Sequence, residues 1–299
     1  MRKYRTRTPA LIVAAFLLPS LAGFVVFILI PMAATIGLSF TNYSGGRRLN
    51  WLGITNYLAA FASPGFLQSL WVTGKFVVMA VTAQLVLGLV FALLLNRPVA
   101  GRTMFRSLFF LPCILSSIAI SLSFMIIFNP TAGPLNELLR SIGLDPVPWL
   151  TSPKTALLTI VIVTVWQSFG YYMVLFIAGL QTINPALYES ADMDGATPMQ
   201  RLMAITLPMI SPTMFFCITT AIIRGFQVFD QVYMMTGGRF GGGPAGATSV
   251  LVFDIYANAF QVLRMGYASA EATILLLFLF VITFIQYRAQ RRWVTYDTA

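Results

Sequence analysis

Of the 299 residues, 58% are hydrophobic and only 9% are charged, and a mean hydropathy of +0.81 excludes a soluble globular chain. The net charge of +10 would suggest nucleic acid in a soluble protein, yet here the cations stand at the ends of apolar runs, where membrane topology accounts for them. There is no histidine, which removes the commonest general base and metal ligand and with them Ser-His-Asp, Cys-His and His-metal chemistry.

The first apolar run, residues 11–30, is uncharged and close to the ~20 residues that a spanning helix needs. Arg2, Lys3, Arg5 and Arg7 before it resemble the start of a signal peptide, but the run exceeds the ~7–15 residues of such a core, so it reads as an uncleaved first span. Pro31 to Leu70 reads as an external loop with a short helix around Ile54 to Phe61. Residues 76–95 form the second span, entered through Lys75, whose stem can snorkel to the interface. Arg97, Arg102 and Arg106 crowd the short connection to the third span, 107–128, which Pro112 interrupts and serines punctuate. In the next loop Leu135, Leu138, Leu139 and Ile142 mark an amphipathic helix, and Pro146, Pro148 and Trp149 an interfacial turn. The fourth, fifth and sixth spans follow at 156–180, 207–229 and 271–287. Cys113 and Cys217 fall within apolar runs and read as buried small residues.

Between the fourth and fifth spans lies a polar stretch, residues 184–208, that is built to fold. Asn184-Pro185 and Thr197-Pro198 each place an N-cap side chain before a proline suited to the first helical position, and Gln200 completes a capping box with Thr197. Gly195 stands where the first of two short helices would end in a left-handed residue. Leu187, Tyr188 and Ala191 share one face of that helix, with Glu189, Asp192 and Asp194 around the remainder. Glu189, Ala191, Gly195, Ile205, Leu207 and Pro208 keep the spacing E-x-A-x-x-x-G, nine residues, I-x-L-P. This pattern resembles the cytoplasmic coupling loop of the permease subunits of binding-protein-dependent ABC importers, with Ser190 in place of the more usual first alanine. The resemblance implies an all-α polytopic membrane protein with six transmembrane helices, a type I importer permease fold and a single permease domain over 1–299. It also implies that Tyr188, Glu189, Ser190, Ala191, Asp194, Gly195, Ile205, Leu207 and Pro208 seat against a separate ATPase subunit.

The distribution of charge agrees with that orientation. With both termini in the cytoplasm, eleven Lys and Arg residues fall inside, Arg97, Arg102, Arg106 and Arg201 among them, and six fall outside, including Arg140, Lys154 and Arg264. A second stretch, Phe226 to Thr248, resembles the outer loop of sugar-type permeases of the maltose and glycerol-3-phosphate kind, with its Phe229-Asp230 pair, Tyr233, the Thr236-Gly237-Gly238 turn and a later Gly243-Pro244. The insertion at Arg239 to Gly241 lengthens the usual turn. These glycines lack the G-K-[ST] and the preceding strand of a phosphate-binding loop, so ATP and Mg are expected on partner ATPase subunits and no cofactor on this chain.

Polar side chains inside the spans mark the candidate solute path. Thr220, Arg224, Gln227 and Gln231 recur at helical spacing on the fifth span with Asp230 beside them, and an arginine at membrane depth should face protein or water. Gln167, Tyr171 and Tyr172 on the fourth span offer amide and phenol groups and flat rings suited to a sugar, and Gln84 on the second is a weaker candidate; bonding between helices or to a second permease is the competing role. The expected assembly is a second homologous permease, two ATPase subunits and an extracytoplasmic solute-binding protein contacted by Gly237, Gly238, Gly243 and Pro244, in a bacterial inner membrane. The chain itself is expected to be no enzyme. The alternative is an ion-coupled secondary transporter, which would want paired intramembrane acids and an internal repeat; Asp230 is the only acid well placed and no repeat is found.

Overall fold

The structure, a computed structural model, describes residues 10–46, 49–98, 100–237 and 242–294. Among the described residues the architecture is all-α, and the β-type pairing is confined to an isolated antiparallel bridge between Thr41 and Trp51. In chain order the helices are α1 (Ala10–Phe24), α2 (Ile30–Leu38), α3 (Thr55–Ala62), α4 (Pro64–Leu95), α5 (Arg102–Ile114), α6 (Ser117–Ile127), α7 (Pro134–Ser141) and α8 (Ala156–Gln181). Then come α9 (Pro185–Met193), α10 (Pro198–Arg201), α11 (Leu207–Met209), α12 (Ser211–Phe226), α13 (Asp230–Val232), α14 (Leu251–Tyr256) and α15 (Met265–Gln290). Four stretches are long and apolar enough to cross a membrane, Ala14–Leu38, Pro64–Leu95, Ala156–Gln181 and Met265–Gln290, and six if each of two bent pairs is one span. The chain divides into two compact units, one formed by the residues up to Ala62 with Ile255–Ile274, the other by Ser63–Asp254 with the residues from Leu275.

In the first unit the opening span runs to Leu38 rather than ending at 30. A wide π turn, Val25–Leu29, joins α1 to α2, and Pro31 falls in the first turn of α2, where the break in the regular ladder tolerates its missing amide. None of the apolar window of this span is buried. Beyond it Asn56 Nδ2 donates to the carbonyls of Ser39 and Thr41, both at 2.8 Å, which ties α3 to the end of α2. Asn258 Nδ2 donates to both carboxylate oxygens of Glu271, which is wholly buried. A buried carboxylate needs such partners.

In the second unit α4 and α8 form the central pair. Helix α4 spans 32 residues, about 48 Å at 1.5 Å per residue, so it extends well beyond the stretch 76–95. Its start is fixed by Ser63, whose hydroxyl accepts from the Phe66 amide, and by Pro64 at the first position. Helix α5 closes on α8 at Gly170, where a Cβ would stand 1.9 Å from the carbonyl oxygen of Phe109. Only glycine allows that approach. Phe91, Phe109 and Phe169 pack around the junction with ring centroids 4.9–5.6 Å apart.

The third span is broken near Pro112, as its sequence leads one to expect, and the fifth departs from a straight run. Helices α5 and α6 meet at 97° because Leu115 and Ser116 are extended, three residues after Pro112. The fifth begins earlier, at Pro198, and bends by 67° at Ile210 before α12. The loop after α6 is organised by Asn136, wholly buried, which donates to the carbonyls of Pro130 and Val147 and accepts from the Val147 amide and the Trp149 indole.

Candidate solute cavity and capped polar loop

The polar loop folds as its capping residues dictate. Asn184 Oδ1 accepts from the Ala186 amide at 3.0 Å, and Thr197 and Gln200 exchange side-chain and backbone bonds in a capping box. At the end of α9, Gly195 has φ +70, its amide bonds to the Asp192 carbonyl, and the Ala196 amide reaches back to Ala191 at 2.9 Å. These two bonds make a Schellman motif. Arg201 pairs with Asp192, and the Tyr188 hydroxyl meets Thr206 Oγ1 at 3.0 Å, so the two arms of the loop are joined. Ser190 returns its hydroxyl to the Ala186 carbonyl. Glu189 and Asp194 are exposed, Ala191, Ile205, Leu207 and Pro208 are half-buried, and Met193 is 89% exposed. Met193 and the Asp192–Arg201 pair lie outside the sequence-read set; their signal was a bare side chain at the tip and an i, i+9 opposite-charge spacing that only the turn at Gly195 brings together.

The path residues converge otherwise than a single helical face would have it. Helix α12 ends at Phe226, Gln227 caps it, and Gln231 stands on α13, so the row Thr220, Arg224, Gln227, Gln231 is broken. Thr220 bonds back to Phe216 and Cys217 of its own helix and is absent from the cavity wall. The break nonetheless folds Arg224, Gln227, Asp230 and Gln231 around a cavity of about 280 Å³, together with Gln84, Gln167, Tyr171 and Tyr172. Ser117, Thr164 and Ser168 also line it and were not singled out from sequence, because a serine or threonine within a span reads first as a partner of its own backbone; Cys113, expected to be buried, is half-buried and lines the cavity as well.

Within the cavity wall Gln167 has a positioning role. Its Nε2 donates to Ser117 Oγ at 3.1 Å and to the Leu115 carbonyl at 3.4 Å, at the α5–α6 break, and its Oε1 accepts from Gln231 at 2.9 Å. Gln84 and Gln231 are likewise buried. Tyr172 is buried and packs edge-on against Tyr171 at 5.3 Å, while the Arg224 guanidinium lies 4.6 Å from the Tyr171 ring centroid.

The glycine stretch after α13 is tethered where it is described. Gln68 of α4 donates to the carbonyls of Ala245 and Gly246, Thr248 N bonds to Gly242, and Thr236 and Thr248 share a 2.7 Å hydroxyl contact. Gly243 and Pro244 are half-buried in this turn rather than a slack tip; Gly237 closes the wide turn Tyr233–Gly237, and Gly238 lies outside the described residues. Ser69 donates to Asp254 Oδ2 at 3.2 Å, and burial pushes the Asp254 carboxyl above the usual carboxylate range against the opposing effect of that bond.

Residues 84–295 match the family described as binding-protein-dependent transport system inner membrane component. The chain is 36% identical over 95% of its length to the probable ABC transporter permease protein YesP of Bacillus subtilis (strain 168), of which 92% is covered. It is 34% identical to the lactose transport system permease protein LacF of Rhizobium radiobacter, over 92% of this chain and 93% of that one. A solved bacterial alginate ABC transporter, in complex with an alginate pentasaccharide-bound periplasmic protein, contains a chain of the same fold with TM-score 0.83 and 25% identity, covering 94% of each. With several apolar helices and these relatives, the chain belongs to the binding-protein-dependent family of multi-pass inner membrane transport components.

Proposed function

We propose that this chain is the transmembrane subunit of an ATP-driven importer for a carbohydrate or related solute, coupled to separate ATPase subunits through residues 184–208. The observation that carries this reading is the loop itself: a doubly capped, Schellman-terminated pair of short helices presenting Glu189 and Met193 outward. A polar connection with no partner has no need of that order. An exposed carboxylate and an exposed thioether on a short rigid helix suit a groove on another protein. The lactose and alginate transport of the relatives, and the amide, phenol and ring groups of the cavity, support a carbohydrate. In this reading the chain catalyses nothing, ATP and Mg are held by the ATPase subunits, and a second permease completes the path. Both termini and the 184–208 loop lie in the cytoplasm, and a solute-binding protein docks outside.

Gly195→Val tests the coupling role. No atom lies within 4 Å of a Cβ built there, so the cost comes from the φ of +70, at roughly 1 kcal/mol or more for a β-branched residue. Solute-stimulated ATP hydrolysis in the reconstituted complex should fall while the binding protein still docks, because α9 no longer seats. Full stimulation together with normal co-purification of the ATPase would reduce the loop to a connection.

A further inference from the structure

Resting on the import reading above, we infer that the solute carries an anionic group, a carboxylate or a phosphate ester on a saccharide-sized body, and that Arg224 is the residue that selects for it. The wall of the cavity is already equipped for hydroxyls by the amides of Gln84 and Gln227 and by the Tyr171 phenol. For a neutral sugar a further amide at 224 would serve as well as a cation. Arginine is instead among the most costly side chains to carry at membrane depth. What it alone supplies is a fixed positive charge and a fork of donors matched to carboxylate or phosphate.

The geometry leaves that fork available. The Arg224 guanidinium carbon lies 4.6 Å from the Tyr171 ring centroid, a cation–π contact that takes up no hydrogen-bond acceptor. Arg224 forms no ion pair with a described residue, whereas Arg140 pairs with Glu137 and Arg201 with Asp192, so no described carboxylate lies within 4.0 Å of Arg224. The one acid in the wall, Asp230, is therefore not closed onto it. Asp230 can accept from solute hydroxyls while Arg224 holds the anion, an arrangement with two poles that a charged saccharide matches and a neutral one does not. The volume of about 280 Å³ is near the lower end of ligand pockets, about 300–1,000 Å³, and so admits one ring with its charged substituent at a time.

Equilibrium dialysis of three radiolabelled probes against the purified complex, without its binding protein, tests this: digalacturonate, glucose 6-phosphate and neutral galactobiose. One of the two anionic probes should be retained about tenfold more than galactobiose, the worth of a single charge-assisted bond, and which one tells carboxylate from phosphate. Arg224→Gln should abolish that preference and Arg224→Lys should restore part of it. Equal retention of charged and neutral probes by the wild-type complex, retention of none, or an unchanged ratio in Arg224→Gln would each overturn the inference. ATP-driven uptake of galactobiose by the same complex would then leave the import reading standing on its own.

Discussion

Glu189 and Gln227 are the two residues at which loss of a single polar group is most informative. Glu189 is exposed on α9 and pairs with no cation among the described residues, so Glu189→Ala leaves the loop folded and removes only an outward contact. Solute-stimulated ATPase activity should fall, more mildly than in Gly195→Val, by the few-fold that an exposed, solvent-screened charged contact is worth; activity equal to wild type would remove Glu189 from the contact. Gln227 caps α12 through its backbone while its side chain faces the cavity. Gln227→Leu should therefore lower uptake with assembly intact, and unchanged uptake kinetics would assign the side chain to packing. At Asp254 the raised pKa means that the folded state holds its proton more tightly than the unfolded chain. The associated stability is fully present below the ordinary carboxylate range and is lost as pH rises through the raised value. Thermal midpoints of the purified complex should decline across that window, and Asp254→Asn should flatten the decline; an identical slope in both proteins would contradict it.

At the scale of elements, what could be read from the chain was whatever depends on local chemistry. Asn184, Thr197, Gln200 and Gly195 specify caps and a turn within a few bonds of themselves, and each is found in that role. Apolar runs located the spans because lipid demands them, but their ends were obscured wherever a polar face is served by protein. Helix α4 begins as early as Pro64, where Gln68, Ser69 and Thr73 bond to Ala245, Asp254 and Leu251, residues nearly two hundred positions away. The cavity was legible as a set of residue types and illegible as a shape. A regular helical period carries Thr220 into the set and cannot foresee that α12 stops at Phe226, nor that a break at Leu115 would draw Gln167 into holding α6 and α13 together. Gly170 shows how such long-range fits are held. An alanine there meets a backbone carbonyl that cannot step aside, so Gly170→Ala should destabilise the α5–α8 junction by about 1–3 kcal/mol and lower the thermal midpoint of the complex. A midpoint equal to wild type would show that the junction yields.

For the whole molecule, the cavity lined by α4, α5, α6, α8, α12 and α13 is the size of one sugar ring, too small to pass a larger solute by itself, which is why a second, similar permease belongs in the proposed assembly. An active transporter whose mass accommodates one permease alone would refute that. The same scale separates an ATP-driven importer from an ion-coupled carrier, since the latter draws its energy from a gradient that the former can lack. The most direct measurement is uptake of a labelled solute into proteoliposomes holding the full complex, with the binding protein outside, ATP or a non-hydrolysable analogue inside, and ion gradients collapsed by ionophores. The account predicts uptake that persists without gradients and stops without hydrolysis. Uptake that follows an imposed ion gradient in the absence of ATP would contradict it.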